Sequence, residues 1–202
     1  MTKYSTEIKA AAKKILEMDK EKIAVYHIET TGLNSVDNEI LKVTILDGNG
    51  KELFNKLMKP EKTKLWKSAQ AVNHINYDMV ADKKPFKEYV SELKSIFDNA
   101  DMIVGYNNFY FDNHFLLIQS YFDKDRIELE KKKNFDIMLE QNEIDYINGT
   151  EEFCPYKTMC GCCRSYDVDF DPDNKVESIR QCLFNMINKI IAAEPESDET
   201  NE

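Results

Sequence analysis

The amino-acid sequence predicts an α/β domain with a mixed central β-sheet. Three predicted strands, at residues 23–28, 40–47 and 51–58, come first, and helices then alternate with shorter strands. Hydrophobic residues make up 42% of the 202-residue chain, which is enough to form a sizeable buried core. Together these observations indicate a globular α/β protein.

The first part of the chain predicts one helix followed by a meander of strands. Residues 5–20 form an amphipathic helix because their apolar side chains share one helical face: Ile8, Ala12, Ile15 and Leu16. The second and third strands are joined by residues 47–50, whose Asn and Gly tolerate the positive φ angles of a hairpin. An added N-terminal helix therefore precedes a three-stranded meander.

Beyond the meander, apolar spacing favours helices that alternate with short strands. The predicted elements are a helix over 86–98, a buried strand over 101–107, a helix over 112–122, a strand running into a helix over 135–147, and helices over 156–164 and 174–192. We expect a helical extension at 1–21, one domain over 22–192, and a disordered acidic tail over 193–202.

Charge and cysteine content limit the classes of protein and partner. The net charge of −10 argues weakly against tight nucleic-acid binding, although a carboxylate–metal site in a nuclease carries its own counter-charge. The five cysteines are an odd number, which disfavours a secreted disulfide framework. There is no apolar run of bilayer-spanning length and no apolar signal-peptide segment. We therefore expect a cytoplasmic protein with reduced thiols and no membrane partner.

Three short motifs occur in order along the chain. They are Glu29-Thr30-Thr31-Gly32-Leu33, the segment AVNHINYDMV at 71–80, and the segment VGYNNFYFDNHFL at 104–116, which contains Asn108, Phe111 and Asp112. Phe135 and Asp136 lie in a fourth, shorter match. The order and spacing over residues 22–140 resemble the DEDD-type 3′–5′ exonucleases of the DnaQ-like group. This resemblance implies an RNase H-like fold.

The resemblance also implies a reaction. Enzymes of this group hydrolyse phosphodiester bonds with two Mg²⁺ ions about 4 Å apart, held by four carboxylates, and a histidine acts as general base. The carboxylates are needed because Mg²⁺ prefers oxygen ligands and two such ions repel each other unless anions surround them.

Half of that set of ligands is absent from this sequence. Glu29 and Asp112 match two family carboxylates, whereas His27 stands where the family has the aspartate that bridges both metals. Alignment of the last helix places Val176 at the final aspartate and Asp171 at the general base. A neutral imidazole cannot bridge two ions. We therefore expect an inactive or very weak pseudo-exonuclease that holds one Mg²⁺ or Mn²⁺ weakly at Glu29 and Asp112, or no metal.

An active metal-dependent 3′–5′ exonuclease with a rearranged site is the alternative. Acidic residues lie close to the missing motif: Asp167, Asp169, Asp171, Asp173 and Glu177. A shift of one residue would let Glu177 replace the last aspartate, and an imidazole at position 27 could suit Mn²⁺ or Zn²⁺. Otherwise the acidic run is a solvated loop before a helix, where acids favour the helix macrodipole.

Candidate nucleic-acid contacts surround the first two motifs. They are Thr30, Thr31, Gly32, Leu33, Tyr106, Asn108 and Phe109. The rings of Tyr106, Phe109 and Tyr110 either stack an unpaired base or belong to the core. The expected partner is a protein or a nucleic-acid 3′ end.

Other residues with possible chemistry have simpler interpretations. His74 is expected to pack in its loop, and His114 to lie at the surface or at the rim of a cleft. Trp66 is either an exposed contact or a packing residue. The cysteines at 154, 160, 162 and 163 lack paired C-x2-C halves and a nearby histidine, so free thiols are favoured over a zinc site.

Overall fold

The computed structural model of the protein describes residues 4–119, 133–149 and 157–193. The strands are β1 (Ile23–Thr30), β2 (Ile40–Asp47), β3 (Glu52–Leu57), β4 (Met102–Gly105) and β5 (Lys133–Asp136). The α-helices are α1 (Thr6–Leu16), α2 (Lys67–Asn73), α3 (Tyr77–Val80), α4 (Val90–Asn99), α5 (Asp112–Gln119), α6 (Ile137–Ile147), α7 (Met159–Ser165) and α8 (Lys175–Ala192). Short 3-10 turns occupy Lys20–Lys22 and Phe86–Tyr89.

The chain divides into two compact units. The sheet unit is Lys20–Asp136, and the helical unit combines Met1–Asp19 with Ile137–Glu202. In the described part of the chain, every helix is too short or too polar to cross a membrane. Residues 194–202 of the acidic tail predicted at 193–202 lie outside the described residues, and so does Cys154.

The sheet unit contains a mixed five-stranded sheet in the order β3-β2-β1-β4-β5. β1, β2 and β3 pair antiparallel, as the predicted meander requires, and β4 and β5 are added parallel to β1. The predicted mixed α/β fold of the RNase H-like type is therefore confirmed. The predicted hairpin is also confirmed: Gly50 has a φ of 90°, and the Asp47 carboxylate accepts hydrogen bonds from the backbone of Asn49 and Lys51.

One face of this sheet forms the main core with α4 and α5. Tyr26 and Ile28 of β1 are completely buried there, against Phe97 of α4 and Phe115 of α5. Each such apolar side chain contributes about 1.5–3 kcal/mol by leaving water. Because side chains alternate along a strand, His27 and Glu29 lie on the opposite face of β1.

A smaller core stabilises the segment between β3 and α4. Trp66 is 5% exposed and packs with Ile75 and Val80, and its indole N–H donates to the Ile75 carbonyl at 2.7 Å. Trp66 is therefore a packing residue rather than an exposed contact. The short helices α2 and α3 were not predicted, because their seven and four residues carry too few apolar side chains to show a helical period.

The helical unit is built around α8. Its buried face is apolar and comprises Val176, Ile179, Leu183, Met186, Ile187 and Ile190. The predicted N-terminal helix is confirmed as α1, where the Ser5 hydroxyl accepts from the backbone N–H of Ile8 and so caps the first turn. Lys9 of α1 donates to the carbonyl of Ala193 at the end of α8.

Candidate functional site

The first and second motifs meet where β1 extends beyond β4. The parallel ladder between these strands ends at the pair Val25 and Val104. Further along β1, the backbone N–H of Ile28 donates to Oδ1 of Asp112 at 2.9 Å. A carboxylate at the start of α5 thus replaces the missing strand partner, and Asp112 is only 1% exposed. The sequence motif D-N-H-F-L-L therefore places an acid against the end of β1.

His27 lies between the two acidic side chains of the motifs. Its Nε2 is 3.4 Å from Oε1 of Glu29, and its Nδ1 is 3.5 Å from Oδ1 of Asp112. The Nδ1 contact is too long and poorly aligned for a regular hydrogen bond, so the attraction there is electrostatic. The predicted convergence of Glu29 and Asp112 is observed, because both approach the same imidazole ring.

The protonation of His27 follows from these neighbours. Burial lowers the pKa of His27, since a charged ring is less well solvated there, but Asp112 and Glu29 outweigh burial and raise the pKa to about 9. Near neutral pH the ring is therefore an imidazolium ion. Its charge offsets one of the two carboxylate charges beside it.

A third acidic residue, Asp136, organises the loop after β4. Asp136, at the end of β5, accepts hydrogen bonds from the backbone N–H groups of Asn107 at 2.8 Å and Phe109 at 3.0 Å. Asn107 has a φ of 56°, in the left-handed region. Asn adopts this region more readily than most residues because its short polar side chain can hydrogen-bond to the local backbone. The sequence match of Asp136 to the family gave no role to this residue. Its position at the end of β5 was the available signal.

Two of the predicted nucleic-acid contacts belong to the interior. Tyr106 is 8% exposed, so its ring belongs to the core and offers no face for stacking a base. Asn108 is completely buried, and its Nδ2 donates to Oδ1 of Asn134 at 2.8 Å. Asn108 therefore helps to hold the loop after β4, and contact of either residue with nucleic acid remains a prediction.

Other predicted contacts are exposed on the loops that follow β1 and β4. Leu33 is 86% exposed in the loop after β1, and Phe109 is 44% exposed. Tyr110 forms an edge-to-face pair with Phe109, with ring centroids 5.1 Å apart. The loop beneath Leu33 is held in place because Thr30 and Thr31 are buried and hydrogen-bonded to Gly32 and Asn38.

The middle motif is tied to the same end of β1. Nδ2 of Asn73 donates to the carbonyl of Thr30 at 3.0 Å. His74 follows with a φ of 58° and ends α2. The imidazole of His74 is exposed, whereas the motif is anchored through its neighbour Asn73. His114 is exposed on α5, as predicted.

One known protein family matches the segment of the chain that contains Glu29 and Asp112. Residues 25–121 match the RNase T family model, which describes an exonuclease. This match covers just under half of the chain and supports the resemblance of residues 25–121 to the DnaQ-like exonucleases. No curated protein matches the sequence.

Solved structures agree on the fold of this exonuclease-like domain. Apo Exonuclease I gives a TM-score of 0.69 at 12% identity, over 82% of this chain and 42% of that chain. E. coli Exonuclease I with a 5cy-dT13 oligonucleotide gives 0.69 at 12% identity, over 84% and 42%. The zinc-bound E. coli ExoI–ssDNA complex gives 0.63 at 12% identity, over 81% and 39%. The chain thus spans less than half the length of these neighbours.

The donor set of the exonuclease-like domain does not fit a pair of divalent ions. His27, which stands where the resemblance places the bridging carboxylate, has its ring nitrogens facing Glu29 and Asp112. Asp112 already accepts a backbone hydrogen bond, and a protonated imidazole has no lone pair to offer. Within residues 4–119, 133–149 and 157–193, no group of three or more His, Cys, Asp or Glu residues could hold a metal ion.

The acidic run at 167–177 belongs to the helical unit, where it leads into the first turn of α8. Both oxygens of Glu177 are engaged by Arg180, at 2.7 and 2.6 Å, and one also accepts from Gln181. Arg180 accordingly lowers the pKa of Glu177. Asp171 is exposed, and its Oδ1 accepts from the backbone of Asp173. These contacts are those of a solvated loop that leads into α8.

Proposed function

We propose that this protein is a pseudo-exonuclease that binds the end of a single-stranded nucleic acid without hydrolysing it. The carrying observation is the His27 imidazole between the carboxylates of Glu29 and Asp112. In the two-metal reaction, divalent ions generate hydroxide and stabilise the leaving oxygen. An imidazolium ion supplies one positive charge beside these two acids. It neither generates hydroxide nor stabilises the leaving oxygen.

Two exposed side chains on anchored loops support this proposal. Leu33 and Phe109 are exposed on loops that Asn73 and Asp136 fix through backbone hydrogen bonds. Aromatic faces stack unpaired bases without sequence preference. Structural neighbours bind oligonucleotides, including dT13, which supports this class of ligand for the present chain.

An active enzyme with a rearranged site has less support. That alternative requires Glu177 to become a metal ligand, and the bidentate contact with Arg180 would first have to break. The net charge of −10 disfavours a nucleic acid and favours a protein as the partner. A protein partner is therefore the other outcome of a binding test.

Fluorescence anisotropy with a labelled single-stranded oligonucleotide tests the proposal. We expect saturable binding that is equal in EDTA and in Mg²⁺, and about tenfold weaker for Phe109→Ala, since stacking contributes about 1–3 kcal/mol per base. Tyr146→Ala, at a position 76% exposed on α6, is the matched control and should bind normally. Absence of binding, or binding that requires a divalent ion, would overturn the proposal.

A further inference from the structure

A cluster of buried thiols lies in the helical unit. Cys162 and Cys163 of α7 and Cys182 of α8 are each at most 1% exposed. Cys160, on the same short helix, is only half-buried, and its Sγ lies 3.9 Å from the guanidinium of Arg164. All four thiols are free.

Cys182 is the centre of this cluster. Its Sγ lies 3.8 Å from Sγ of Cys162, within hydrogen-bonding distance for two sulfur atoms. Hydrogen bonds with Cys162 and Cys163, and then burial, raise the pKa of Cys182 because they favour the neutral thiol. The same contact with Cys182 lowers the pKa of Cys163. Cys163 also approaches the carbonyl of Ser178 at 4.0 Å.

We propose that Cys162 and Cys182 are an oxidation site at which a small peroxide closes a disulfide between α7 and α8. The two sulfur atoms must approach from 3.8 Å to about 2.05 Å, the length of a disulfide bond. The two cysteines belong to different helices, α7 and α8, and their sulfur atoms are hydrogen-bonded directly to each other. Cys160 faces Arg164 instead and lacks such a thiol partner among the described contacts.

The chemistry balances with hydrogen peroxide as the oxidant. The sulfur of one thiol attacks a peroxide oxygen, the O–O bond breaks, and a sulfenic acid and one water form. The second sulfur then attacks the sulfenic sulfur, the S–S bond forms, and a second water leaves. Two thiols lose two electrons and two protons, and the peroxide is reduced to water.

Peptide mapping of the folded, full-length chain tests this site. The protein is treated with peroxide and the excess oxidant is removed. It is then denatured in the presence of a thiol-blocking reagent, which caps the remaining free thiols, and is digested with trypsin. Cleavage after Lys157, Arg164, Arg180 and Lys189 separates the α7 cysteines from Cys182. We expect one cross-linked species that lacks two hydrogen atoms, and fragmentation should assign the bond to Cys162.

Variants distinguish this bond from other oxidation products. Cys182→Ser should abolish the cross-link, whereas Cys160→Ser and Cys163→Ser should retain it. The oxidised wild-type chain should also unfold several degrees higher than the reduced chain, since a cross-link between positions 20 apart restricts the unfolded state. A bond to Cys160 or Cys163, or buried thiols that stay reduced or oxidise only to sulfinic acid, would contradict the assignment. The wild-type map decides this even if Cys182→Ser fails to fold.

Discussion

Nε2 of His27 lies 3.4 Å from Oε1 of Glu29, one strand pleat away on the same face of β1. Asp112 approaches the other ring nitrogen at 3.5 Å. With its raised pKa, His27 is a cation between two acids, at the position where the resemblance implies a bridging carboxylate. The predictions about the site follow from this arrangement.

The raised pKa of His27 predicts a pH-dependent stability. The folded-state pKa of about 9 lies above the ordinary value of 6.5, so the folded protein holds this proton more tightly than the unfolded chain. The stabilisation is complete below pH 6.5 and is lost as pH rises from there through 9. It amounts to about 3 kcal/mol, since one pKa unit corresponds to about 1.4 kcal/mol.

Urea unfolding at a series of pH values measures this effect. His27→Gln should remove most of the decline in unfolding free energy between pH 6.5 and 9, whereas His114→Gln, at an exposed position, should leave it in place. An NMR titration that gives His27 a pKa at or below 6.5 would contradict the prediction.

The substitution His27→Asp should create a cation site. Three carboxylates would then converge at positions 27, 29 and 112, and like charges this close bind a hard divalent ion or take up a proton. Calorimetry should detect Mn²⁺ binding in this variant and little in the wild type. His114→Asp adds the same charge at an exposed position and is the matched control; equal Mn²⁺ binding by both variants would count against a specific site.

Asp136 should be essential to the loop after β4. Removing this 4% exposed carboxylate leaves the N–H groups of Asn107 and Phe109 without their acceptor. Asp136→Ala should therefore lower the unfolding free energy by about 2–4 kcal/mol, as two hydrogen bonds to a buried charge are lost. Hydrogen exchange should rise at residues 107–109. Asp101→Ala, at an exposed position next to β4, should change neither quantity, and a similar loss in both variants would contradict the assigned role.

The segment after β3 depends on Glu39. Its carboxylate accepts from the backbone N–H groups of Glu61, Lys62 and Thr63 at 2.7–3.2 Å. Burial raises the pKa of Glu39, but these hydrogen bonds outweigh burial, and the pKa is lowered. Glu39→Ala should speed hydrogen exchange at 61–63, while Glu88→Ala, an exposed control, should not. Unchanged exchange in Glu39→Ala would mean that the segment is held by other contacts.

The sheet could be predicted because the apolar pattern of each strand is visible in a short stretch of sequence. The convergence of two motifs could be predicted because their order and spacing resemble those of the family. β1 and α5 fell where the apolar pattern placed them, and Glu29 and Asp112 approach one another as expected. The roles of Asp136 and Asn73 were missed, since both act through backbone hydrogen bonds to residues 27 to 43 positions away. Such bonds leave no periodic signal.

The aromatic residues after β4 show the same limit. Tyr106 and Phe109 looked equivalent in the sequence, but Tyr106 directly follows the buried strand, whereas Phe109 sits on the turn fixed by Asp136. The path of the backbone decides which ring is exposed, and composition alone cannot distinguish them.

A time course of oligonucleotide hydrolysis tests the central claim most directly. A 5′-labelled single-stranded DNA and the corresponding RNA are incubated with the wild-type protein in Mg²⁺ or Mn²⁺ and resolved at single-nucleotide resolution. We predict that both remain at full length, as in the no-enzyme control. Stepwise shortening from the 3′ end that Glu29→Ala and Asp112→Ala each abolish would contradict it, and would show that a site containing His27 can support the reaction.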